Sequence, residues 1–192
     1  MDKRQFLTAS ALASLTPALA SAAPRARGPI LLTISGAIGK SNRGALNPHF
    51  DQLLLKQHQN FQKAFTFDAD AILSLPYFQI RPTLEYDNKV HTVRGPLLVD
   101  VLKEAGVPAT SNGKLVLRAI DGFAAQISLA QARAQRFMVA THLDEQPLAL
   151  GGLGPLWAVY DADRVPEMAA QPVADRFGQC PWGLYHIEVS AA

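Results

Sequence analysis

The segment HTVRGPLLVDVLKEAGV, His91 to Val107, carries the clearest periodic pattern in the chain and decides how the rest is read. Gly95 and Pro96 are read as opening a helix there, since proline's fixed φ suits a first helical turn. Leu97, Leu98, Val101 and Leu102 recur at helical spacing and form one apolar face. Gly106 ends the element, as glycine does just past a last turn. The spacing therefore predicts a surface helix packed on something apolar.

Upstream, YFQIRPTLEYD reads as an extended segment interrupted by Pro82, which fits an edge or bulged strand because proline removes a ladder donor. Before it, FDADAILSLP places Asp68 to cap a short helix, with Asp70 near its positive end and Pro76 as its stop. HFDQLLLKQHQNFQKAF has Phe50, Leu53, Leu54 and Phe61 on helical spacing, and a helix is expected there. ILLTISGAIG alternates β-branched and small residues and then breaks at glycine, so Ile30 to Ser35 is the first strand. Downstream, KLVLRAI, FAAQISL and FMVATHL are three short apolar runs divided by turn residues, with a helical turn expected at Ala130 to Gln135. PLWAVYD and WGLYHIEVS follow. Many short strands with few helices predict a mixed, mainly β domain.

A chain of 192 residues, 48% of them apolar, is enough for one domain with a real core. That domain is expected over 30–192. Before it, Lys3 and Arg4 precede an apolar, alanine-rich run from Phe6 to Ala20, the pattern of a secretory signal peptide over 1–22, with 23–29 as linker. Cleavage after Ala20 or Ala22 suits the small residues there. The run, about 15 residues, is short for a membrane span, which needs roughly 20. The segment around Lys3 and Arg4 also has the look of a degenerate twin-arginine signal, but its single arginine favours ordinary secretion. A periplasmic location is the expectation. Lys3, Arg4 and Asp2 fall in the leader, so the 18 basic and 16 acidic residues leave the remainder nearly neutral. Nothing in that balance asks for nucleic acid. Cys180 is the only cysteine and forms no intramolecular disulfide, so stability must come from the core.

Few residues offer themselves for catalysis. His49, His58, His91, His142 and His186 are scattered, with no i, i+4 pair to seed a zinc site. No G-x-S-x-G elbow is present. The glycines of GGLGPLWAVYD precede a strand rather than following one and opening a helix, and no G-K-[ST] accompanies them, so they are not a phosphate cradle. No catalytic or metal-ligating set is assigned. Trp157, Tyr160, Asp121, Arg81 and Asn42 remain as candidates for binding a flat heterocycle, which wants an aromatic face to stack on and a carboxylate or amide at its edge. Each has a plain structural alternative: a core tryptophan, a packing tyrosine at a strand end, a turn aspartate before Gly122, an exposed cation on an edge strand.

The order of HTVRGPLLVDVLKEAG, DGFAAQISLAQA, RFMVATHLDEQPL, GPLWAVYD and WGLYHIEV resembles the molybdopterin-binding domain of the sulfite oxidase family, over roughly Ile30 to Val189. The resemblance implies an α+β, strand-rich fold. It also implies a molybdenum-ligating cysteine in the segment before the 91–107 helix, where this chain has Pro82 and Thr83 instead. Neither replaces a soft thiolate ligand. The chain looks like the small exported members of this fold that lack the metal ligand, some of which bind reduced pterins in the periplasm and regulate a membrane-bound partner that makes or degrades a cyclic dinucleotide. By that resemblance the ligand is a pterin: Trp157 stacks on it, Asp121 pairs with its amino-pyrimidine edge, Arg81 and Asn42 face its carbonyl or side chain, and Tyr160 lies nearby. The alternative is a molybdopterin oxidoreductase of the sulfite oxidase type.

Overall fold

A computed structural model describes residues 28–191. The expected signal peptide and most of the expected linker lie outside the described residues.

Among the described residues the chain builds three sheets around a main apolar core, with a smaller cluster of Leu54, Phe61 and Ala64 apart from it. The largest sheet has five strands. Its middle is β11 (Leu184–Ser190), which lies parallel to β1 (Ile30–Gly36) on one side and antiparallel to β5 (Lys114–Ala119) on the other. The edges are β2 (Ala64–Asp68), beside β1, and β6 (Ala124–Ser128), beside β5. Burial alternates along β5, with Leu115, Leu117 and Ala119 inward, as a half-buried strand requires.

A four-stranded antiparallel sheet runs β3 (Tyr77–Ile80), β4 (Val93–Pro96), β8 (His142–Leu143), β9 (Gln146–Pro147). Here β3 is an edge strand, and it stops two residues before Pro82, as read from the sequence. Between the sheets, β7 (Met138–Ala140) pairs with β10 (Trp157–Val159), and all six residues are buried. Strand-rich, with mixed sheets and short helices, the fold is α+β.

The helices are short. α1 (Gln52–Lys56), α2 (Ala69–Leu73), α3 (Leu98–Glu104), α4 (Leu129–Ala134) and α5 (Pro166–Ala169) each contribute one face or less to the core. Asp68 caps α2 as expected, accepting the Ala71 N–H at 2.8 Å. Ser128 caps α4 in the same way through Gln131.

Three expectations change. Gly95 and Pro96 do not open α3; they end β4, paired opposite Phe78 and Tyr77. The reason is close packing: a Cβ on Gly95 would lie 2.1 Å from the Val139 carbonyl oxygen, so only glycine lets β4 pass over β7. α3 itself stands, with Leu98, Val101 and Leu102 buried and Gly106 at φ +80° past its end. The helix expected around 50–61 shrinks to the five residues of α1. His58 turns left-handed at φ +56°, and the Asp51 carboxylate bonds Arg43 and the Asn47 N–H instead of capping the helix. Of the four spaced apolar residues only Leu54 and Phe61 are buried, and Phe50 is 85% exposed. FMVATHL, finally, is two strands in different sheets, separated at Thr141.

Candidate functional site

The excursion between β3 and β4 passes the position where the resemblance expects a metal thiolate. Thr83 stands there, and both its donors are engaged: its backbone N–H and its hydroxyl donate to Asp163 Oδ2 at 2.7 and 2.8 Å. The other oxygen of Asp163 accepts from Arg176 Nη1 at 2.6 Å. Arg176 goes on to the carbonyls of Gln171 and Ala169, both at 2.9 Å. Asp163 lies in a 3-10 turn, Ala162–Arg164, directly after β10. One carboxylate thus ties the β3 excursion to the two segments that follow β10.

This donor set does not fit a thiolate-held molybdenum. Thr83 and Pro82 offer no soft ligand. Cys180 is buried, its sulfur accepts the Tyr160 N–H, and burial pushes its thiol well above the ordinary range, so it stays protonated. Among the described residues no group of three or more His, Cys, Asp or Glu is arranged to hold a metal ion.

Beside the Thr83 anchor opens a cleft of about 270 Å³, walled by β3 and its continuation, by the turn after α4, and by the 3-10 turn after β10. Its chemistry is set by Phe78, Arg81, Arg136, Asp161 and Arg164. Arg136 has φ +53° and lays its guanidinium 4.2 Å from the Phe78 ring centroid, a cation–π contact that fixes both. Arg81 makes no hydrogen bond or ion pair among the described residues. The Asp161 side chain is 12% exposed; Arg164 Nε stands 3.5 Å from its Oδ2, and its buried Oδ1 has no hydrogen-bond partner. A buried carboxylate oxygen without a donor is unfavourable by about 1–3 kcal/mol.

The five residues expected from sequence are not gathered in one place. Arg81 lines the cleft. Tyr160 is its neighbour in sequence behind Asp161, but is buried: its hydroxyl donates to the Arg176 carbonyl at 2.7 Å and burial raises its pKa to about 12. Trp157 is fully buried, its indole N–H donating to the Cys180 carbonyl at 3.0 Å and its ring against Phe177, so neither face is open to a ligand. Asp121 sits on the exposed β5–β6 turn, where Oδ1 accepts the Phe123 N–H at 2.9 Å across Gly122. Asn42 clamps β2, accepting from the Thr66 N–H at 2.7 Å and donating to the Thr66 carbonyl at 2.9 Å. Sequence reasoning missed Phe78, Arg136, Asp161, Arg164 and the Thr83–Asp163–Arg176 network. The run YDADR, Tyr160 to Arg164, was a visible signal for three of these. Nothing local marked Arg136.

No protein-family model matches the chain, and no curated protein matches it. Its structure is similar to the crystal structure of the sulfane dehydrogenase SoxCD from Paracoccus pantotrophus, with a TM-score of 0.54 at 12% identity. The match covers 83% of this chain and 37% of that one, so the chain spans well under half of the enzyme chain it resembles. At this identity the likeness is one of fold. The protein has an α+β fold of the sulfite-oxidase-like kind, with an arginine-rich cleft next to the Thr83–Asp163–Arg176 network.

Proposed function

We propose that the protein is a periplasmic pterin-binding protein that reports ligand occupancy to a membrane-bound signalling partner, without redox catalysis of its own. The observation that carries this reading is the pairing of two features on one wall. At the metal position, Thr83 is committed to Asp163 and Arg176. Next to it, the cleft is lined by the Asp161 carboxylate, by Arg81, Arg136 and Arg164, and by the Phe78 ring. These are recognition groups: a carboxylate complements the adjacent N–H donors of an amino-pyrimidine edge, and a planar Phe78–Arg136 pair complements a flat ring. The expected export signal supports the periplasmic location, and the resemblance to exported pterin-binding regulators supports the signalling partner.

The test is direct. Protein exported to the periplasm is purified and denatured, and released heterocycles are sought by fluorescence and mass spectrometry. Reduced pterins are then added to ligand-free protein. Binding stabilises the fold by about 2.7 kcal/mol at a hundredfold excess over Kd, which appears as a raised Tm. Recovery of ligand-free protein together with an unchanged Tm overturns the proposal. The likeness to SoxCD favours a second reading, a molybdopterin oxidoreductase; it requires stoichiometric molybdenum in the natively purified protein, and elemental analysis decides it.

A further inference from the structure

We infer that residues 44–62 form an acid-released flap: protonation of His186, which the segment covers, opens it from the central sheet while the rest of the fold stays closed. This is independent of the pterin reading, since none of the cleft's lining residues lies in 44–62.

The flap is closed at its base by Arg43 and Ala64, which exchange backbone hydrogen bonds at 3.1 and 2.9 Å. Of its nineteen residues only Leu54 and Phe61 are buried. With Ala64 they make the small cluster apart from the main core, so little apolar burial holds the segment down. Its one helix, α1, is five residues long and has no side-chain cap, and a helix so short is not stable without tertiary support. The tethers across to the sheet run through Gln57. Its Nε2 reaches the carbonyls of Ala119 and Ile120 at 3.3 and 3.4 Å, and its Oε1 accepts from the Tyr185 hydroxyl at 2.9 Å. Segments held this lightly open locally, at a free energy well below that of global unfolding.

Beneath the flap lies a titratable group set against its own protonation. Along β1, β5 and β11, Ile34, Leu117 and Ile187 belong to the main core, and the alternate positions Ser35, Arg118 and His186 lie on the opposite face of the sheet. His186 is buried, its ring stacked with Phe61 of the flap at a centroid distance of 6.3 Å and its Nε2 hydrogen-bonded to Ser35 Oγ at 2.9 Å. The cations around it are Arg118 on β5 and Arg43 at the flap base, whose guanidinium lies 5.3 Å from the Phe61 centroid. The carboxylates on the same face are engaged, Glu188 of β11 by Arg118 at 2.9 Å and Asp51 of the flap by Arg43. Protonated His186 is therefore a third cation in a buried place where both carboxylates are already paired. Burial first, then Arg118 and Arg43, holds its pKa down to about 3. Opening the flap lifts Phe61 from the ring and returns the imidazole to water, where its pKa recovers toward about 6.5. The closed flap refuses the proton and the open flap accepts it. Closure is thus strongest above about 6.5, and opening gains about tenfold for each pH unit below it. For a chain exported as its sequence predicts, the flap supplies a state set by the pH outside the cytoplasm and separate from the cleft.

Amide hydrogen exchange followed by NMR, with each rate corrected for the intrinsic chemical rate at that pH, tests the inference. The Leu46 and Gln59 amides, bonded to the Phe61 and Leu54 carbonyls, report on the flap, while those of Leu98 and Phe137, bonded to the Phe137 and Ala132 carbonyls, report on the core. At pH 7.5 the flap amides are expected to be about tenfold or more less protected than the core amides. Their opening constant should rise about a hundredfold by pH 4.5, and in His186→Gln it should be the same at both pH values. Flap protection equal to core protection at both pH values overturns the inference, because the segment then opens only with the whole fold. So does a flap opening constant that is unchanged at pH 4.5 in the parent, or a rise that survives in His186→Gln. The parent readings decide between local and global opening by themselves if the variant does not fold.

Discussion

Asp163 accepts three hydrogen bonds from two distant parts of the chain, and this makes it the residue on which the site's geometry depends. Its carboxylate is 31% exposed and its partner Arg176 only 14%, so removing it leaves a largely buried guanidinium without its counter-ion. Asp163→Ala is expected to lower the unfolding free energy by about 2–3 kcal/mol, read as a shift of the urea midpoint. An unchanged midpoint would show that the network orders the loop without stabilising the fold. Trp157 gives the opposite lesson. Its aromatic surface suggests a stacking platform, but its side chain is used entirely within the core. Sequence leaves those two uses open because the same tryptophan suits both, and only the Phe177 ring against it and its bond to the Cys180 carbonyl distinguish them.

At the scale of elements, the excursion between β3 and β4 is the part of the site with its own chemistry. Thr83 bridges to Val90 and anchors to Asp163, and His91 ties the far end down. His91 Nδ1 contacts Asp144 Oδ2 at 2.5 Å on the β8–β9 turn, and Nε2 contacts Asp87 at 3.0 Å. Lys89 lies 3.8 Å from Asp87, and on the neighbouring strand Arg94 lies 3.5 Å from Glu145. The hydrogen bond to Asp144, ahead of that to Asp87, raises the His91 pKa above its ordinary 6.5, and the same contacts lower both carboxylates. For a histidine so raised, the clasp is complete below the ordinary value and is lost as pH rises through the folded one. In an NMR titration the His91 midpoint should therefore lie above 6.5 and fall in Asp144→Asn. A midpoint that does not move in the variant would remove Asp144 as the cause. None of this was legible beforehand, because residues 53 positions apart meet only when β4 and β8 pair.

For the whole molecule, the central sheet carries a buried titratable group that lowers stability in acid. His186 on β11 is 1% exposed and shares a 2.9 Å hydrogen bond with Ser35 on the neighbouring β1; its Nδ1 has no partner. Burial first, then the charges of Arg118 and Arg43, lowers its pKa to about 3. The unfolded chain therefore takes up a proton there that the folded protein refuses. Stability is full above about 6.5 and declines as pH falls toward 3, at a limiting slope of about 1.4 kcal/mol per pH unit. Chemical denaturation at pH 7.5 and 4.5 should differ by about 2–3 kcal/mol from this residue, and His186→Gln should flatten that difference although it costs stability throughout. A slope unchanged in the variant would assign the acid sensitivity elsewhere.

The periodicities by themselves determined a mixed, mainly β domain, the positions of β1, β5, β6 and β11, the Asp68 cap of α2 and the extent of α3 past its start; the α+β class came from the family resemblance. Those features follow from hydrophobic spacing and from side chains that bond their own backbone, and such interactions act over a few residues. The tertiary structure alone decided that Gly95 belongs to a strand, that FMVATHL divides between two sheets, and that the useful residues of the wall are Asp161, Arg136 and Arg164 beside Arg81. The close approach of Gly95 to Val139, the buried ring of Trp157 and the convergence of three arginines on one cleft all depend on contacts between residues far apart in the chain. A local pattern carries no record of which neighbours the fold will supply.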